Sequence, residues 1–184
     1  MSVAGPALVS PHAAQLQAAH ACQGKSNDCG PFSAAIVLNA LLKAGVDPEQ
    51  VARELERPRW WGPLPRVRRV PGYATFPWGV ADALREHGLQ ASWRPWASTA
   101  RLQRGLASGE LLLPIYGGWK KGTPWAHFAV LAAHDPERGW GFVDPQHEHG
   151  GLVWHRDERF RRKWLTWGNL LVTARPPTDA NRSV

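Results

Sequence analysis

Cysteine is scarce: the 184-residue chain has two, Cys22 and Cys29. Two cysteines exclude a disulfide-dense scaffold, and no CxxC pair offers half of a zinc site. Long apolar runs are missing too. No uninterrupted stretch reaches the ~18 residues that a membrane-spanning helix needs, so no span is expected. The opening "MSVAGPALVSPHAAQLQAAHA" has neither a basic n-region nor a continuous apolar h-region. A secretory signal is therefore not expected, and the default compartment is the cytoplasm. Acidic residues are outnumbered, 15 against 22 Lys and Arg, for a formal net charge of +7. That excess suits acidic partners and equally serves solubility. Basic residues are scattered and no nucleic-acid-binding motif accompanies them, so nucleic acid is not the expected partner.

What is present points to one domain over residues 1–184, with a core of about 20–175, an Ala-rich arm at 1–20 and a frayed tail at 176–184. Eleven tryptophans supply large apolar bodies for that core. Residues 31 to about 44 read as a helix that is apolar all round, and such a helix is buried. Pro31 fits its first turn and Gly45 its stop. "DPEQVARELE" starts a second helix on the cap Asp47. "WGVADALREHG" and "STARLQRGLASG" read as two more, with a short strand from Leu89 to Trp93 between them. Residues 57–77, rich in Pro, Arg and Trp, read as a long loop, with Arg66, Arg68 and Arg69 most simply solvated. From "ELLLPIYGGW" onward the period changes to that of strands. "HFAVLAA" and "WGFVDP" flank the turn "HDPERG", and "LVW" and "NLLVTA" complete an antiparallel set. Helices first and strands afterwards imply an α+β fold.

Cys29 sits at the N-terminus of the buried helix, in "QGKSNDCGPF". Free N–H groups and the positive end of the helix dipole converge there and favour the nucleophilic thiolate. A core thiol is the plain alternative, and a Cys22–Cys29 disulfide would block any chemistry at the site. Cys22 itself reads as a packed thiol. A nucleophile needs a base, and His127, at the start of a strand pattern, is the candidate. The base needs an acceptor on its second nitrogen, and Asp144 in "GFVDP" is the nearest sensible carboxylate. A hairpin of 127–133 and 140–144 closed by an even-length loop would set Ala133 opposite Trp140 and Ala129 opposite Asp144. His127 and Asp144 would then share a face, whereas an odd-length loop would separate them.

Gln23, six positions before Cys29, carries an amide able to donate to an oxyanion together with the Cys29 N–H. Gln23 followed by Asp28-Cys29-Gly30, then His127-Phe128-Ala129-Val130-Leu131, then Asp144-Pro145 17 positions after the histidine, and a final Trp167-Gly168-Asn169-Leu170 segment resemble a C39-like cysteine peptidase domain of the papain-like superfamily. The likeness runs from about residue 20 to 175. The resemblance implies a papain-like fold, with a helical N-terminal part that carries the nucleophile helix packed on a C-terminal antiparallel sheet. It also implies Cys29 as nucleophile, His127 as base, Asp144 as orienter and Gln23 as oxyanion donor. The best-known members remove leader peptides after a double glycine. The C-G-[SA]-C-[WY] signature of papain and the cathepsins is absent.

The expected activity is thus a thiol hydrolase acting on a peptide or amide bond, with a peptide or protein as substrate and neither metal nor cofactor. The same machinery could transfer the acyl group to an amine, and a non-catalytic peptide-binding module could keep the fold. His134, His147, His149 and His155 read as solvated turn residues; "HEHG" is not joined by a carboxylate or cysteine cluster that would make it a metal site. Trp119 and Trp125, around the glycine loop before His127, read either as core anchors or as walls of a substrate groove.

Overall fold

The computed structural model describes residues 6–177, so the expected fraying of the tail past residue 177 lies outside the described residues. The chain opens with a two-residue strand β1 (Leu8–Val9) and a short helix α1 (Ala13–Ala18), whose Ala13 and Leu16 are buried in the main core. Helix α2 (Cys29–Leu42) follows. Its Ile36, Val37 and Leu38 have no solvent contact, as an all-apolar helix requires. Helix α3 (Pro48–Glu56) starts where Asp47 accepts the Glu49 N–H at 3.1 Å and Pro48 occupies the first turn.

Residues 57–76 are more ordered than a loop. They form two small hairpins, β2 (Arg59–Trp61) with β3 (Leu64–Arg66), and β4 (Arg69–Val70) with β5 (Ala74–Thr75). The expectation of solvated arginines fails here. Arg68 and Arg69 are buried, and Arg66 is bonded to a buried carboxylate. Arg68 holds both Glu86 oxygens, at 2.7 and 2.9 Å, and Arg69 bridges Asp28 and Glu56. Asp82, wholly buried, receives Arg66 at 2.6 Å, Arg85 at 2.8 Å and Arg59 at 3.3 Å. A buried carboxylate is costly unless paired; Arg85 pairs with Asp82 within one helix, while Arg59, Arg66, Arg68 and Arg69 staple the 57–76 segment to the helices beneath.

Helix α4 (Pro77–Glu86), strand β6 (Gln90–Arg94) and helix α5 (Thr99–Ala107, capped by Ser98) lead into the strands β7 (Leu111–Lys120), β8 (Thr123–Phe128), β9 (Val130–Asp135), β10 (Gly139–Val143) and β11 (Val153–His155). A helix that no sequence pattern marks, α6 (Asp157–Leu165), precedes the last strand β12 (Leu171–Arg175). It is highly charged, and only Phe160 and Trp164, one turn apart, bury against the sheet. Its three apolar residues, Phe160, Trp164 and the exposed Leu165, are too few to show a helical period.

The antiparallel sheet runs β11-β10-β9-β7-β12-β6, with β8 added to β7 and β1 to β9. Helices cover both faces. Leu111, Leu113, Ile115, Phe128, Val130 and Ala132 join the core with α1, α2 and α4, while Leu112, Tyr116, Ala129 and Leu131 join that of α5 and α6. Burial on both faces explains the continuous apolar run "LLLPIY" in β7.

The β9–β10 register differs from the expected one. The turn has three residues between the paired Asp135 and Gly139, an odd length, and Trp140 faces His134 rather than Ala133. A bulge then intervenes: Gly141 faces Ala133 but Phe142 faces Leu131, leaving Ala132 unopposed. One odd turn and one bulge restore parity, and Val143 faces Val130. Extended by one residue, that register sets Asp144 level with Ala129.

Candidate active site

Cys29 begins α2, half-buried against the main core. Asp28 precedes it but does not cap the helix through its side chain; its carboxylate is taken by Arg69. The first-turn N–H groups are thereby left uncapped by any side chain, with the dipole's positive end beside the sulfur. Gly30 allows the β4–β5 hairpin to close on this turn: a Cβ added there would lie 2.7 Å from the Thr75 Cβ. Asn27 completes the seal by donating from Nδ2 to the Gly72 carbonyl at 2.9 Å.

His127 lies late in β8, opposite Tyr116 of β7, and is buried. Its Nε2 is 2.7 Å from Asp144 Oδ1. With Nε2 so engaged, Nδ1 is the nitrogen left for Cys29, which lies close enough to act on the titration of the ring. Burial alone would push the imidazole pKa down. The hydrogen bonds and charges of Asp144 and Cys29 outweigh it and raise the pKa to about 9.

Asp144 follows β10 and is buried. Its Oδ1 also accepts the Gln146 N–H at 2.8 Å, and its Oδ2 accepts from the Tyr116 hydroxyl at 3.3 Å. Burial raises its pKa, but the bond and charge of His127 and the Gln146 N–H prevail and hold it below the usual carboxylate value. The structure thus brings together Cys29, His127 and Asp144, which are far apart in sequence.

Gln23 is positioned through its main chain, donating its N–H to the Pro145 carbonyl at 2.8 Å. Its side-chain Nε2 gives one hydrogen to the Ser26 carbonyl at 2.6 Å, and its Oε1 is buried without a partner. An amide nitrogen carries two hydrogens, so one remains for another acceptor. Cys22, expected as a packed thiol, is exposed, and both cysteines are free.

Tyr116 was hidden from sequence reasoning by its place in an apolar strand. Only the pairing of β7 with β8 sets it edge-on to the His127 ring, at 5.5 Å and 80°. Two of the histidines expected in solvated turns are in strands instead. His134 is buried at 3.1 Å from Asp157, with its ring against Trp140. His155 is half-buried; burial first, then the charge of Lys163, pushes its pKa down to about 4, so it is neutral. Among the described residues no group of three or more His, Cys, Asp or Glu is placed to hold a metal. Trp119 is largely exposed near the tip of the β7–β8 hairpin, and Trp125 is partly covered by the Lys163 ammonium 5.0 Å from its ring.

Compared by sequence, the chain matches no family model and no curated protein. Its fold is that of C39-like peptidases. A solved Bacillus anthracis protein described as a candidate C39-like peptidase superposes with a TM-score of 0.69 at 14% identity, over 95% of this chain and 100% of that one. A double-glycine motif protease from an AMS/PCAT transporter, solved in complex with the leader peptide, gives a TM-score of 0.55 at 22% identity, over 86% of this chain and 91% of that one.

Proposed function

We propose that the protein is a cysteine peptidase that hydrolyses a peptide or amide bond, with Cys29 as nucleophile, His127 as base and acid, and Asp144 as orienter. The observation that carries this reading is the His127 ring, bonded through Nε2 to Asp144 at 2.7 Å and near enough to Cys29 for the sulfur to help raise its pKa. The fold shared with C39-like peptidases supports it, and the leader peptide bound by one of them makes a polypeptide the natural substrate class.

In this mechanism the thiolate of Cys29 attacks the substrate carbonyl carbon, and the carbonyl π electrons move to oxygen. The uncapped N–H at the start of α2 and the second amide hydrogen of Gln23 receive the oxyanion. As the tetrahedral species collapses, the C–N bond breaks and the His127 imidazolium gives its proton to the departing amine. Neutral His127 then takes a proton from water, the hydroxide attacks the thioester, and the thiolate leaves. Asp144 keeps the imidazole in the orientation and tautomer that both steps require. An incoming amine in place of water would make the same site an acyltransferase.

The test reads the two cysteines together. At about pH 6 an unperturbed thiol is almost wholly protonated and alkylates slowly. Iodoacetamide should label Cys29 much faster than Cys22, and His127→Ala should remove most of that advantage. Wild-type protein, but not Cys29→Ala, should release fluorophore from a fluorogenic peptide-amide library. Slow, similar labelling of both cysteines together with an uncleaved library would instead mark a peptide-binding module.

A further inference from the structure

The carboxylate of Asp144 has two oxygens, and the proposed mechanism uses one. Oδ1 takes the His127 Nε2–H and the Gln146 N–H, while Oδ2 is held by the Tyr116 hydroxyl at 3.3 Å. An ionised carboxylate only accepts, so the phenol must be the donor in that bond. Held at Oδ1 alone, a carboxylate can still turn about its Cβ–Cγ bond and lower its aim; a second donor on Oδ2 stops that rotation.

Tyr116 is itself immobile. Its ring is buried and bracketed by Phe142, Phe160 and His155, with centroids 5.4, 5.9 and 5.3 Å away. Its backbone pairs with His127 across the β7–β8 ladder. The same ring meets His127 edge-on, so one side chain touches both the imidazole and its carboxylate partner. Burial, then the charge and bond of Asp144, raise the phenol pKa well above its ordinary value, so the donor proton persists at every working pH.

The geometry points to Tyr116 as a positioning residue that fixes the Asp144 carboxylate through Oδ2 and the plane of His127 through its ring edge. This rests on the reading of His127 and Asp144 as base and orienter. Tyr116 does not meet the reacting atoms; it acts through those two side chains.

Tyr116→Phe keeps the ring and removes the donor. The readout is the proton NMR resonance of the His127 Nε2–H, followed with the rate of Cys29 alkylation by iodoacetamide at about pH 6. The resonance should broaden as the carboxylate begins to rotate, and alkylation should slow on the order of tenfold, the scale for losing a hydrogen bond to a charged group. A second variant does not depend on that protein folding. The chain has two tyrosines, so in Tyr73→Phe Tyr116 is the only one. Replacing it there by 3-fluorotyrosine makes a more acidic donor, draws charge from Asp144, and should shift the resonance while leaving it sharp. An unshifted, sharp resonance in both proteins would overturn the inference. If wild-type Cys29 alkylates no faster than Cys22, the nucleophile reading falls, and the resonance still decides the role of Tyr116.

Discussion

The backbone N–H of Gln23 donates to the carbonyl of Pro145 at 2.8 Å, which stitches the segment leading to Cys29 onto the residue after Asp144. The imidazole of His20 adds a second tie, its Nε2 3.1 Å from the Asp144 carbonyl oxygen. Two hydrogen bonds thus tie the segment that leads into Cys29 to Asp144 and the residue after it. Because the Gln23 tie is a main-chain bond, it survives replacement of the side chain.

That separation makes the Gln23 amide testable. Gln23→Ala should lower turnover by roughly 10²–10³-fold, the usual effect of losing one oxyanion donor, and should leave the urea midpoint almost unchanged. Undiminished turnover would remove the oxyanion role, and a large drop in the midpoint would make Gln23 structural.

The protonation of His127 predicts how stability follows pH. Its pKa is about 9 in the fold, against an ordinary 6.5. A group that binds its proton more tightly when folded adds stability that is complete below the unfolded pKa. That stability disappears as pH rises through the folded value, so the window of loss runs from about 6.5 to about 9 and just beyond. Asp144 acts at the other end. Its lowered pKa contributes stability above its ordinary value, lost as the pH falls through the folded one. Urea melts at about pH 6, 7.5 and 9.5 should show the alkaline decline in wild type and its absence in His127→Gln. A flat wild-type profile, or the same decline in both proteins, would contradict the assigned pKa.

Close approach at Gly30 gives a packing prediction. Gly30→Ala sets a methyl against Thr75 and should cost about 1–3 kcal/mol, as overpacking does. Thr75→Gly in the same chain removes the opposing atoms and should recover most of that loss, apart from the roughly 0.5–1 kcal/mol that a strand glycine costs. Denaturant midpoints of the four proteins of the cycle decide it; purely additive losses would mean the hairpin yields without strain.

The sequence made the candidate site more legible than its surroundings, for a physical reason. Cys29, His127 and Asp144 each lie where local rules are strong: at a helix start, at the head of an apolar strand run, and just before a proline. The helix α2 and the strands around the Asp135–Gly139 turn announce themselves by apolar pattern. Tyr116 could not be found this way, because an aromatic residue in a strand buried on both faces looks like any core residue. Arg68 and Arg69 looked solvated because their partners Glu86, Asp28 and Glu56 lie 13 to 41 residues away in the chain. Charge pairing at that range leaves no periodic mark. Helix α6 was missed because its few apolar residues were outnumbered by charge.

The unopposed Ala132 works like a parity bit for the hairpin. The three-residue turn alone would send Asp144 to the wrong side of the sheet, and the extra residue in β9 flips it back. Lengthening or shortening the turn by one residue would therefore disconnect Asp144 from His127, although neither residue had been touched. Removing Ala132 as well would reconnect them. That second deletion would carry its own cost, because the Ala132 carbonyl receives the Ser10 N–H at 2.8 Å and so anchors the segment between β1 and α1. Changes in length are thus tolerated at this site only in compensating pairs, and the N-terminal segment is held by the same residue that sets the parity.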